Sequence, residues 1–292
     1  MQRPVLYYLA PIIKIILFLF FIVLWVIPVA MVFGFSFLPL AGSGFAIELY
    51  WELGMVLAIL GSLQMVFFIF KIDFWTVFVR KIGAFSGFLK GTLIGFLLIA
   101  FCGGILWANG NVRFAMGSIS FITLAVYLFY FILVAVFEEL MFRTYPLFVL
   151  AESYRIAVAI IINSIGFGLV HLANPGYTPL AFLNIVLAGT LFAVFTLIKR
   201  NVSWAIGIHF GWNFAQGVLL GYKVSGLATE RALIAQPIGK AYLSGGDFGI
   251  EGSVFCTLIL SILISWMLYR YRIAPVVTWA FEEVHEEKER IA

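Results

Sequence analysis

Residues 118–145 read SISFITLAVYLFYFILVAVFEELMFRTY, an uncharged and mostly apolar run from Ser118 to Phe137 that ends in two adjacent carboxylates and, one helical turn later, an arginine. A bilayer core about 30 Å thick takes around 20 consecutive apolar residues in helical form, so this stretch is long enough to cross it. Runs of the same kind recur along the chain. Bounded by Gly, Pro and charge, eight of them lie near 12–34, 50–70, 91–108, 118–145, 156–172, 178–198, 203–221 and 252–270. They predict an all-α fold, a polytopic membrane helical bundle with about eight transmembrane helices. Composition agrees: 64% of the 292 residues are hydrophobic and 11% charged, where soluble domains carry about 25% charged residues. Mean hydropathy is +1.11. The spans use up the chain and leave no room for a sizeable soluble domain.

A net charge of +4 raises the question of nucleic acid, but the basic residues sit at the ends of apolar runs rather than in one patch, which excludes that partner. They are also unevenly shared. Fourteen fall on one face (Arg3, Lys14, Lys71, Arg80, Lys81, Lys90, Arg143, Arg155, Lys199, Arg200, Arg270, Arg272, Lys288 and Arg290) and four on the other (Arg113, Lys223, Arg231 and Lys240). The bias predicts a multi-pass protein of the cell membrane with both termini cytoplasmic. Cys102 and Cys256 each lie within an apolar run and lack a CxxC partner, so they read as small core residues. The first apolar run is too long for a signal-peptide core and reads as a retained span. Three regions follow: residues 1–115, with spans one to three and an interfacial amphipathic helix near 71–90 carrying Phe74, Trp75, Phe78 and Val79; residues 116–222, with spans four to seven; and residues 223–292, with an outer loop, span eight and an acidic cytoplasmic tail. No internal repeat of the transporter kind is visible.

Ionisable side chains inside spans cost on the order of 3 kcal/mol each, and they mark function when they face the protein interior. Here they gather in three places: Glu138, Glu139 and Arg143 in the fourth span, His171 at the end of the fifth, and His209 with Asn213 in the seventh. Residues four apart share a helix face, so Glu139 can pair with Arg143, and His209 lies beside Asn213. Glu138 is turned about 100° from Glu139 and is free for another role. If spans four and five form a hairpin turning at 154–155, Glu138 and His171 are equidistant from the turn and meet at one depth. A carboxylate beside an imidazole in a low-dielectric site can activate water, with the histidine holding the water and relaying its proton. The His209 and Asn213 pair then offers donors to an oxyanion. The plainer alternative for Glu139 with Arg143 is an internal ion pair between helices. Gln64 and Asn184 read as interhelical hydrogen-bond groups, and Gly95, Gly103, Gly104 and Gly189 as close-packing sites.

The signatures EExxxR at Glu138 to Arg143, FxxxH at Phe167 to His171, and HxxxN at His209 to Asn213 resemble, in order and spacing, the CPBP family of intramembrane proteases. That family comprises the type II CAAX prenyl endopeptidases (Ras-converting enzymes) and bacterial abortive-infection and bacteriocin-processing proteins. The segment from Gly245 to Gly252 also looks like prokaryotic members. The resemblance implies a CAAX-type intramembrane protease in which Glu138 and His171 activate water, His209 and Asn213 stabilise the oxyanion, and Glu139, Arg143 and Phe167 support them. It implies a peptide or protein substrate at the membrane, with the lipid bilayer as the other partner. Some members have been described as metalloproteases, so zinc is the possible cofactor, with Glu138, His171 and His209 as its ligands. A metal-free glutamate mechanism is the favoured expectation, because HExxH is absent and Asn213 is a poor zinc ligand. The opposing class is a non-catalytic binding or transport protein using the same polar cluster. Substrate access is expected from the cytoplasmic face. Helix rise would then leave Glu138 about 25 Å from the turn at 154, a mismatch that an early end to the fourth span at Pro146 would relieve.

Overall fold

The computed structural model describes residues 5–33, 45–73 and 77–276. Its helices are α1 (Val5–Phe33), α2 (Phe45–Phe70), α3 (Ala84–Ala108), α4 (Phe121–Arg143), α5 (Tyr145–Ser153), α6 (Ile156–Val170), α7 (Pro179–Lys199), α8 (Ser203–Phe214), α9 (Ala241–Ser244) and α10 (Val254–Arg270). Among the described residues, five stretches are long and apolar enough to cross a membrane: Leu9–Met31, Glu48–Phe70, Ala84–Ala108, Phe121–Ser153 and Pro179–Lys199. Shorter apolar helices, α6 and α10, fill the remaining space. The protein is an all-α polytopic membrane bundle. Three of its helix starts carry side-chain caps: Ser120 accepts from the Thr123 amide, Thr178 from Ala181, and Ser253 from Cys256.

The fourth span is bent where the sequence placed its proline. α4 stops at Arg143, Thr144 leaves helical geometry, and α5 begins at once, with Pro146 in its first turn. Proline has no amide hydrogen to give Phe142 four residues back. That carbonyl accepts instead from Asn163 Nδ2 of α6, at 2.7 Å. The bend tucks α5 into the core, and the reversal into α6 falls at Tyr154 and Arg155, as the hairpin argument expects. Start meets end in the first pair of spans too: Lys14 near the start of α1 lies 5.3 Å over the ring of Phe70 at the end of α2.

α3 and α8 form the closest contact in the bundle. A Cβ added at Gly95 would lie 2.0 Å from the Ile208 carbonyl, one at Gly91 2.4 Å from that of Trp204, one at Gly207 2.2 Å from that of Phe88, and one at Gly211 2.2 Å from that of Thr92. The backbones touch along two turns of each helix, in a seam made by small residues. Gly104, in contrast, faces open space and is no packing site. Gln64 is exposed on α2 rather than holding helices together, whereas Asn184 does so: it donates to the Glu251 and Ser253 carbonyls and accepts from Thr257.

Two further features differ from the sequence reading. The long outer loop contains a strand, β2 (Leu233–Pro237), which pairs antiparallel with β1 (Val112–Met116) so that Phe114 faces Ala235 across the ladder. This ribbon ties the loop to the end of α3. α3 itself starts at Ala84, so the C-terminal part of the expected interfacial helix belongs to a span. Phe78 is buried against Phe148 with a left-handed backbone. Phe74, Trp75 and the acidic tail lie outside the described residues.

The seam yields a graded expectation. Gly95→Ala forces backbone apart and lowers unfolding free energy by about 1–3 kcal/mol, as overpacking does. Gly104→Ala changes it by less than about 0.5 kcal/mol. Denaturation of the two variants in detergent, followed by circular dichroism, checks the pair.

Candidate active site

α4, α6, α7 and α8 bring the sequence-singled residues together. Glu138 Oε2 lies 3.7 Å from His171 Nε2 and 3.9 Å from His209 Nε2. Glu139, on the adjacent face, reaches a different partner: its Oε1 is 2.9 Å from His209 Nδ1, and its Oε2 is 3.3 Å from Arg143 Nε. Arg143 is wholly buried and donates to the Gly189 carbonyl of α7 at 3.1 Å, an approach that the absence of a side chain at Gly189 permits. Its guanidinium lies 4.2 Å over the Phe167 ring, with Phe142 and Phe192 also close. Arg143 therefore belongs to the interior and drops out of the charge count that orients the chain, without reversing it. Phe167 contacts the rings of both His171 and His209, and Phe192 stacks on His209 at 5.1 Å. Asn213 lines the same cavity, one turn beyond His209.

Hydrogen-bond direction follows from these partners. His171 Nδ1 lies 2.8 Å from the Phe167 carbonyl, which can only accept, so the proton is on Nδ1 and Nε2 carries a lone pair. His209 Nδ1 faces the Glu139 carboxylate, which pairs with Arg143, and donates to it. Two acceptors, His171 Nε2 and Glu138 Oε2, thus converge on one small volume that His209 Nε2 also faces. Glu138 Oε2 is shut off from solvent and has no hydrogen-bond partner within the protein. A water molecule would satisfy this set, with its hydrogens directed at acceptors and its oxygen left free.

Zinc would ask for more compact geometry. Donors at 2.0–2.1 Å from a tetrahedral ion stand on the order of 3.3 Å apart, and both measured separations exceed that. Among the described residues, no three His, Cys, Asp or Glu side chains group closely enough to hold a metal. As arranged, Glu138 stands farther from both imidazoles than two ligands of one tetrahedral ion would.

The site opens into a cavity of about 370 Å³ whose wall includes Glu48, Trp51 and Glu52 of α2, Tyr127, Tyr130 and Phe131 of α4, and residues 224–229 of the outer loop. Consecutive spans cross in opposite senses, so the starts of α2 and α4, the end of α6 and the ribbon-bearing loop all lie on the face opposite the start of α1. The cavity reaches that ribbon face. Sequence reasoning missed Glu48 and Glu52, which stand at a span's edge where charge reads as a boundary. It also missed the role of Glu251, buried at the end of the outer loop. Glu251 accepts from Trp212 Nε1 (3.2 Å), Gln216 Nε2 (3.0 Å) and the Ser225 amide (2.8 Å), pinning the loop onto α8. Burial pushes the Glu251 carboxyl up, and those hydrogen bonds offset only part of the rise. After Phe214, α8 widens into a π-helical turn, Ala215–Leu219, that carries Gln216. A local widening of this kind is frequent at functional sites.

Residues 119–215 match the family model described as Rce1-like: Type II CAAX prenyl endopeptidase Rce1-like. The match begins just before α4 and ends just after Asn213, so it contains all three polar signatures and the whole cluster. Over that region the chain is similar to this endopeptidase family. No curated protein and no solved structure matches the chain.

Removing one member of the buried ion pair leaves the other charge uncompensated. Arg143→Leu should lower stability by about 3–5 kcal/mol, whereas Glu138→Gln, outside that pair, should leave the unfolding midpoint in place. Detergent denaturation of both variants provides the check.

Proposed function

We propose that the protein is an intramembrane endopeptidase that hydrolyses a peptide bond of a membrane-associated, CAAX-like substrate with a glutamate-activated water. The observation that carries this reading is the convergence of Glu138, His171 and His209 at the inner end of a cavity of about 370 Å³. Water held by Glu138 and His171 gives a proton to Glu138 as its oxygen adds to the substrate carbonyl carbon. The carbonyl oxygen becomes an oxyanion facing Asn213 and His209. His209 serves there as an imidazolium, and the Glu139 carboxylate beside its Nδ1 stabilises that charge. Collapse of the tetrahedral intermediate breaks the C–N bond, and Glu138 returns the proton to the departing amine. Glu139, Arg143 and Phe167 keep both imidazoles in orientation. The donor spacing supports the metal-free form of this chemistry.

Substrate reaches the site from the ribbon face in this reading, which revises the expectation of cytoplasmic access. The unequal distribution of Lys and Arg makes the opposite face, where α1 begins, the cytoplasmic one.

Two experiments test these statements. Purified protein in detergent should cleave a quenched fluorescent prenylated CAAX peptide, and Glu138→Gln or His171→Ala should slow cleavage about 10²–10⁴-fold. A zinc chelator should have no effect. Cleavage that survives Glu138→Gln, or that is lost on chelation and restored by zinc, overturns the mechanism. For orientation, Leu227 is half exposed at the rim and the native cysteines Cys102 and Cys256 are buried. A membrane-impermeant maleimide should therefore label Leu227→Cys in intact cells. Labelling only after permeabilisation places the ribbon face inside.

A further inference from the structure

Four carboxylates line the cavity, Glu48, Glu52, Glu138 and Glu251, and no lysine or arginine does among the described residues. Two are accounted for. Glu251 is satisfied by three donors from α8 and the loop, and Glu138 faces the two histidines. The other two sit one helical turn apart on α2. Glu52 Oε2 is shut off from solvent, has no hydrogen-bond partner, and lies within the electrostatic reach of Glu138 and Glu48, both of which repel it. A crowded carboxyl group in an apolar setting either holds its proton or gives it up when a positive group arrives to meet it. Tyr130 of α4 lines the same cavity within electrostatic reach of Glu52, and Trp51 is its neighbour on α2. A cation lying between a carboxylate and aromatic faces gains from both.

We infer that Glu48 and Glu52 form a specificity pocket for a lysine or arginine side chain of the peptide substrate, at the outer part of the cavity. This rests on the protease reading for what is bound, and it adds which peptides are preferred. Its place along the substrate follows from helix rise. Tyr130 precedes Glu138 by eight residues on α4, about 12 Å, which is three to four residues of extended peptide at about 3.3 Å each. The cationic residue therefore lies three or four positions from the bond that is cut. Glu52, inside, makes the ion pair. Glu48, on the exposed rim, draws the cation in.

The test separates binding from cleavage. Three farnesylated CAAX peptides labelled with tetramethylrhodamine, identical except for Lys, Gln or Glu three residues before the prenylated cysteine, are titrated into the Glu138→Gln protein in detergent, with anisotropy as readout. The Lys peptide should bind about tenfold tighter than the Gln peptide, equivalent to one well-placed charge pair, and the Glu peptide weaker than either. Adding Glu52→Gln should bring the Lys-to-Gln ratio down to about twofold, and high salt should shrink it as well. Should Glu52→Gln fail to fold, Glu48→Gln on the rim should lower the ratio in the same direction. Equal affinities for the three peptides, no binding of any of them, or a variant that weakens all three in proportion would overturn the inference. Hydrolysis of the Gln peptide by the unaltered protein judges the protease reading by itself, since that peptide carries no charge at the position in question.

Discussion

The buried pair of Glu139 and Arg143 is the constraint on which the interior depends. Neither charge touches solvent, so each must be satisfied within the protein or the fold is lost. Satisfying them fixes three helices at once. Arg143 spans from α4 to the backbone of α7 at Gly189, and Glu139 spans from α4 to His209 of α8. The rings of Phe142, Phe167 and Phe192 close over the guanidinium and supply the rest of its surroundings. With those helices held, the remaining polar groups have little choice of position. His209 is turned so that its second nitrogen points at Glu138, and Phe167 sets the distance at which His171 approaches from α6. An ion pair of this kind contributes less to net stability than its Coulomb attraction suggests, because desolvation offsets most of it. Its effect here is to make one arrangement of four helices far better than any slipped one.

Much of this was legible in the sequence because a membrane interior makes polarity rare. When 11% of residues are charged, a carboxylate or imidazole inside a span stands out against its background. The span positions, the cluster of Glu138, His171 and His209, and the turn at Tyr154 and Arg155 were all readable from apolar run length and residue spacing. Where the reading stopped, physical reasons are identifiable. Helix periodicity pairs Glu139 with Arg143, four residues apart on one face, but it cannot say which face of α4 meets which face of α8. The bond from Glu139 to His209, seventy positions away, was therefore invisible. Glu48 and Glu52 fell at the end of an apolar run, where a charge has two meanings and the commoner is a boundary. Glu251 followed a Gly-rich loop, and nothing local distinguished a buried carboxylate from a solvated one. Gln64 failed in the opposite direction: it was read as an interior polar group, and it lies on the outside of α2.

The ribbon was missed for a further reason. Its two strands are five residues each and more than a hundred positions apart, and Pro237 closes one of them. Short strands carry little periodic signal, and their pairing is a tertiary fact. The pairing nonetheless holds the outer loop over the cavity from one end, while Glu251 holds it from the other through Trp212, Gln216 and Ser225. A loop anchored at both ends can line a cavity with defined residues, where a free loop of that length would merely cover it.

The glycine seam between α3 and α8 has a mechanical meaning. Where peptide planes rest directly on one another there are no side chains to rotate out of the way, and the joint cannot give without coming apart. His209 and Asn213 ride on the helix that forms one half of this joint. Opposite them, the cavity wall made by α2 and α4 is faced with aromatic and acidic side chains. The stiff joint thus lies beneath His209 and Asn213, while the cavity wall facing them is built from side chains.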